Sequence, residues 1–232
     1  MGTIAENIRD VRGRIEQACN RVGRDPHDVT LVAVTKGFDA TKIAEAVRQG
    51  VRDIGENFAQ EVLQKRKQLP HEQIRWHFVG HVQTNKVKYI ADFVYLIHSV
   101  DSFKLAEEID KRASRIGRNI DLLVEVNTTG EATKHGVRPD EAVPLVREIA
   151  HLRHVHACGL MTMGPTLPDP EQSRSCFRIL RELNERIRGE GIENVAMTHL
   201  SMGMTNDFEV GIEEGATLVR LGTALFGPRP NR

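Results

Sequence analysis

The chain has 232 residues, 40% hydrophobic and 28% charged, within the ordinary range of a globular protein. Lys plus Arg and Asp plus Glu each number 32, so no net field draws the chain to nucleic acid or an acidic membrane. Three scattered cysteines, a start without a secretory apolar core, and no apolar run near the roughly 20 residues of a membrane span predict a reducing, cytoplasmic setting.

Residues 3–23 read as an amphipathic helix. Thr3 and Glu6 have capping-box spacing, and Ile4, Ile8, Val11, Ile15, Ala18 and Val22 form one stripe. Strands and helices then alternate. A strand over 29–35 ends at Lys36, and a helix covers 39–49. A strand over 51–55 runs into Glu56 and Asn57, followed by a helix over 57–68. The strand 74–79 contains His77 and leads to Gly80-His81, with a weaker helical segment at 83–91. A strand over 93–97 leads to His98 and Ser99, with Tyr89 and Tyr95 on or beside it, and a helix covers 102–116. Strand 120–126 ends at Asn127, and helix 139–151 follows. Strand 155–161 leads to Thr162 and a Pro-rich loop at 164–170, then helix 171–188. Strand 195–200 ends at Ser201, and a helix covers 206–214. The last strand, 217–221, carries Arg220 and runs into Gly222, Thr223 and an apolar segment able to start one helical turn. Residues 228–232 are expected to fray.

Eight strands alternating with helices predict a parallel sheet, and the simplest closure is a single (β/α)₈ barrel with an extra N-terminal helix, one domain over 1–232. An open doubly wound sheet is the alternative, weakened by the lack of a Gly-x-Gly-x-x-Gly after the first strand.

In such a barrel the chemistry gathers at the C-terminal strand ends. Lysine there is usually a solvated end residue, but an apolar setting disfavours its charged form and makes it a nucleophile. Val32, Val34 and Phe38 could supply that setting around Lys36, with Arg220 adding like-charge repulsion. Arg220 sits late in an apolar strand, where an unpaired charge is costly to bury. The Gly222-Thr223 step before a helical turn suits a phosphate. A lysine and a phosphate cradle at one end of one sheet suggest a phosphorylated aldehyde held as a Schiff base. The close-set His151, His154 and His156 lack a Cys or carboxylate at ligand spacing, and two of them stand at a strand start, so a metal reading is set aside. Cys158 reads as core, and Cys176 has no neighbouring base.

Six stretches resemble those of the pyridoxal-phosphate-binding homeostasis proteins, the YggS/PROSC-like family. They are Val32–Lys36, Gly55–Glu61, Trp76–Lys86, Leu160–Met163, Leu200–Thr205 and Val219–Gly227. Thr35, Gly37 and Thr205 stand where that family most often has Ser, Thr and Ser. The resemblance implies the barrel of alanine racemase without that enzyme's second domain. It implies a covalent aldimine between Lys36 and pyridoxal 5'-phosphate, with the phosphate held by Ser201, Gly222 and Thr223. It places Arg220 opposite the pyridine nitrogen and Asn57 near the ring. An arginine there keeps the nitrogen unprotonated, which weakens the electron sink. A racemase also needs a base on the opposite face, supplied in those relatives by a tyrosine of the second domain. This chain offers only Tyr89 and Tyr95 and runs nine residues past Thr223. The resemblance therefore implies vitamin B6 homeostasis, buffering the cofactor or delivering it to apo-enzymes that depend on it, as a monomer or weak dimer without robust catalysis. Two readings compete: a weak amino-acid racemase using His77 or a lysine as second base, and a phosphosugar isomerase in which Lys36 acts on substrate.

Overall fold

The computed structural model describes residues 2–70, 73–165 and 167–229. Of the stretch expected to fray, 228–232, residues 230–232 lie outside the described residues, as does Thr166 within the Pro-rich loop.

The first helix, α1 (Ile4–Arg21), starts where the sequence says it should. The Thr3 hydroxyl accepts from the Glu6 amide at 3.2 Å, and the Glu6 carboxylate accepts from the Thr3 amide at 2.7 Å. Its apolar stripe is buried from Ile4 through Ala18. Eight parallel strands follow: β1 (Thr30–Val34), β2 (Asp53–Glu56), β3 (Arg75–Phe78), β4 (Leu96–Val100), β5 (Ile120–Glu125), β6 (Val155–Met161), β7 (Val195–Ser201) and β8 (Leu218–Leu221). They close in chain order into a barrel, β1 pairing with both β2 and β8. The helices between them are α2 (Ala40–Arg48), α3 (Ala59–Gln68), α4 (Phe103–Arg115), α5 (Pro139–Ile149), α6 (Arg174–Gly189) and α7 (Phe208–Glu213), and α8 (Thr223–Phe226) follows β8.

Outward-facing strand residues pack against these helices in the main core. Inward-facing Val32, Leu96, Leu123, Cys158, Met161 and Leu218 form a second, smaller cluster inside the barrel. All three cysteines are free and buried, and burial pushes the Cys158 thiol up to about 12, so it packs rather than reacts. The N-terminal helix is bound to the last one by Asn7, whose side-chain amide donates to the Leu225 carbonyl at 2.9 Å.

Most element boundaries fall within two residues of expectation, and the fourth strand is the correction. It spans 96–100, not 93–97. Phe93 and Val94 belong to a turn, their amides donating to the Ile90 carbonyl at 3.2 and 2.9 Å. Arg118 ties the Ala91 and Val94 carbonyls from below, and the Arg66 guanidinium lies 3.8 Å over the Phe93 ring. The apolar run is divided between turn and strand, so His98 and Ser99 lie within the strand and are buried. Residues 84–89 form a 3₁₀ segment, and another at 170–173 precedes α6.

Candidate active site

At the C-terminal mouth of the barrel is a cavity of about 470 Å³. Lys36, Asn57, Arg220, Gly222 and Thr223 all line it, with Val34, Val79, Met163, Met204, Thr205 and Arg229. Five of the six residues singled out from sequence thus meet in one space. The sixth, Ser201, is fully buried behind it and reaches the site through Arg220.

Lys36 follows β1 in a tight turn closed by the Phe38 amide on the Thr35 carbonyl at 3.0 Å. It is half-buried, and desolvation lowers its pKa. The assisting cation is Arg229, not Arg220, while Glu61 and Glu56 pull the other way. Beneath the turn is a buried clamp that sequence reasoning missed. The Lys65 ammonium donates to Glu56 at 2.5 Å, to Glu61 at 2.7 Å and to the Thr35 carbonyl at 2.7 Å. Thr35 donates its hydroxyl to Glu56, and the Gly37 amide donates to Glu61 at 2.6 Å. Burial raises the Glu56 pKa and Lys65 opposes that rise. The only sequence signal for the clamp is the i,i+4 spacing of Glu61 and Lys65 on α3.

Asn57 is held by a close backbone approach. A Cβ at Gly80 would lie 2.5 Å from the Asn57 carbonyl oxygen, so only glycine fits. The Asn57 Oδ1 is buried and has no hydrogen-bond partner among the described residues.

Arg220 is 5% exposed and points inward from β8. It donates to the Ser201 hydroxyl at 2.5 Å and to the Thr162 carbonyl at 2.8 Å. Among the described residues no carboxylate lies within ion-pair distance of it, so it is not held by a simple salt bridge. Burial lowers its pKa to about 10, against the opposing pull of Glu125 and Asp207, and it stays cationic at neutral pH.

Behind Arg220 a file of buried polar groups crosses the barrel to β2. Ser201 Oγ lies 2.8 Å from His98 Nδ1, His98 Nε2 lies 2.9 Å from His77 Nδ1, and His77 Nε2 lies 2.9 Å from Asp53 Oδ1. Arg75 closes the file on Asp53 at 2.6 Å. Arginine only donates, so Ser201 accepts from it; in the tautomer assignment that completes the file, Ser201 gives its own proton to His98 Nδ1. His98 then donates from Nε2 to the bare Nδ1 of His77, and His77 donates from Nε2 to Asp53. The direction agrees with the titration behaviour. Burial drives the His98 pKa well below the usual range. At Asp53 burial acts upward, but hydrogen bonds from His77 and Arg75 prevail and hold the carboxyl below the usual range. Both ring nitrogens of His77 are therefore engaged, which removes it as a base for a substrate.

The remaining wall is the segment after β7. The Met204 amide donates to Asp207 at 2.7 Å, and Ser173 donates to the other Asp207 oxygen at 2.8 Å. Gly203 has φ +91°, and a Cβ there would lie 2.8 Å from Phe208 Cα. At Gly222 a Cβ would come within 3.1 Å of the Val34 carbonyl oxygen.

Residues 3–230 match the family model of the alanine racemase N-terminal domain. The chain is 46% identical over 224 residues to the pyridoxal phosphate homeostasis protein of Aquifex aeolicus, covering 97% of each chain. A crystal structure of an unknown protein from Bifidobacterium adolescentis superposes with a TM-score of 0.91 at 37% identity, over 96% of this chain and 94% of that one. The structure of PipY of Synechococcus elongatus with pyridoxal phosphate bound superposes with a TM-score of 0.85 at 31% identity, over 97% of this chain and 100% of that one. The chain belongs to the pyridoxal phosphate homeostasis protein family, on the barrel of the alanine racemase N-terminal domain.

Proposed function

We propose that this protein binds pyridoxal 5'-phosphate in the cavity at the barrel mouth, carries it as a Schiff base on Lys36, and serves vitamin B6 homeostasis by buffering or delivery rather than by turnover. The observation that carries this reading is one cavity lined by a half-buried lysine of lowered pKa, a buried guanidinium with no carboxylate partner among the described residues, and the Gly222-Thr223 step. The site suits the cofactor in two further respects. Asn57 presents a buried acceptor with no hydrogen-bond partner among the described residues, and at Gly222 a Cβ would crowd the Val34 carbonyl oxygen at 3.1 Å. The names of the relatives and the ligand of PipY support the same ligand here.

In this reading Lys36 holds the cofactor's aldehyde carbon, Asn57 faces the ring, and Gly222 with Thr223 holds the phosphate. Ser201 acts from behind, fixing Arg220 rather than touching the phosphate. Bound there, the cofactor supplies an electron-withdrawing ring. Arg220 keeps its own proton and donates, so a ring nitrogen facing it remains an acceptor and the ring a weak electron sink. Residues 1–232 act as one cofactor-binding unit in the cytoplasm, and the recipients are apo-enzymes that need the cofactor.

The test is the visible absorbance of the protein after loading with pyridoxal phosphate, followed by borohydride reduction and peptide mass mapping. The expected adduct is on Lys36, and Lys36→Ala should lose both the absorbance and the reduced adduct. A stable adduct that persists in Lys36→Ala would overturn the assignment. An adduct on Lys36 also excludes the phosphosugar isomerase reading, in which no colour forms.

A further inference from the structure

We propose that His81, Asp101 and His135 form a binding site for a first-row divalent cation, with zinc as the best-matched probe. The three residues come from three separate strand ends. His81 follows β3, Asp101 follows β4, and His135 stands in the loop between β5 and α5. One ligand atom from each lies within 4.8 Å of the others.

Two features favour a cation over a surface ion pair. The first is distance. His81 Nδ1 and Asp101 Oδ2 are 3.5 Å apart, which is long for a hydrogen bond. It matches the edge of a zinc tetrahedron, roughly 3.3–3.5 Å for ligands at the usual 2.0–2.1 Å. The second is availability. Among the described residues Asp101 has no partner but His81, and His135 makes no hydrogen bond or ion pair. The neighbouring ammonium of Lys134 is directed to Glu131 at 2.8 Å and to the Gly164 carbonyl at 3.0 Å.

Two imidazoles and one carboxylate suit zinc, nickel, copper or iron better than calcium or magnesium. Three protein ligands also leave at least one coordination position open. His81 and His135 are exposed and Asp101 is half-buried, which leaves room for one ring to turn out of the parallel stack the two form so that both lone pairs meet beside Asp101. The site is independent of the cofactor proposal, although His81 directly follows the Gly80 that packs on Asn57.

The experiment titrates zinc alone into the full chain without pyridoxal phosphate, near neutral pH, in competition with a chromogenic chelator. One equivalent per chain should bind, weakened at least about tenfold in His81→Ala, His135→Ala and Asp101→Asn. It should be unchanged in a His151→Ala/His156→Ala double variant. Imidazole must be neutral to bind, so affinity should fall in mild acid. X-ray absorption of the zinc-loaded protein should show two imidazole ligands. Melting curves verify the fold, and His135→Gln replaces any alanine variant that misfolds. Failure of the wild-type chain to hold zinc at about 100 μM free metal, or wild-type affinity retained in both His81→Ala and His135→Ala, would overturn the site.

Discussion

Thr223 and Ser201 both looked from the sequence like phosphate ligands, and the structure separates them. Thr223 lines the cavity, whereas the Ser201 hydroxyl is committed between Arg220 and His98. Thr223→Ala should therefore weaken pyridoxal phosphate by about 1.5–3 kcal/mol and leave unphosphorylated pyridoxal nearly unaffected. Equilibrium binding of the two ligands checks this, and equal losses would place Thr223 elsewhere. The sequence placed Ser201 at a strand end but could not show how deep it lies, and depth decides its role. Glu125, at the end of β5, carries a separate expectation. Burial, then the Asp101 charge, raise its carboxyl to about 7, with Arg220 opposing. A folded pKa above the unfolded one makes the protonated form the stable one. Its contribution is complete below about pH 4.5 and is lost as pH rises through about 7. Glu125→Gln should match wild type near the lower limit and exceed it by up to about 3 kcal/mol at mildly alkaline pH. Denaturant midpoints across that range decide it, and parallel pH profiles would refute it. Nothing in the sequence marked Glu125, because a carboxylate at a strand end is ordinarily solvated.

At the scale of elements, α3 holds the turn that presents Lys36. The sequence made α3 visible as a helix but not Lys65 as its keystone, since lysine is the residue least expected to be buried. Lys65→Met leaves Glu56 buried without its cation, and removing one partner of a buried pair costs about 3–5 kcal/mol. Adding Glu56→Gln should recover part of that loss. Urea unfolding of the single and double variants measures it, and identical losses would mean that packing, not charge, sets the cost. The fourth strand shows the complementary limit. Its apolar run gave no internal boundary, because the turn at 90–94 is set by Arg118 and Arg66 arriving from other elements. Where a boundary has a local cause, as in the Thr3 cap of α1, sequence and structure agree.

For the molecule as a whole, the alternation of strand and helix signals was enough for the barrel, since each crossover dictates a parallel neighbour. Clustering was a poorer guide to chemistry. The histidines crowded at 151–156 do not converge, while His81, Asp101 and His135, far apart in sequence, do, because closure of the sheet brings successive strand ends together. The carrier reading makes its prediction at this scale. If Arg220 donates to the ring nitrogen as proposed, then with His77 engaged on both sides the loaded protein should exchange the α-proton of common amino acids far more slowly than about 1 s⁻¹. Deuterium incorporation from heavy water measures this, and exchange at or above that rate would mark a working enzyme. The seam between β1 and β8, where Thr30–Ala33 align with Leu218–Leu221, has a consequence for the order of synthesis. Lys36 leaves the ribosome early, and Arg220 and Thr223 emerge almost two hundred residues later. A nascent chain thus cannot hold a ligand that touches both sides. On the proposed reading, capture is confined to chains whose last strand has docked, where a ligand held by Lys36 and the Gly222-Thr223 step would latch the first strand to the eighth, so truncated copies draw nothing from the cofactor pool.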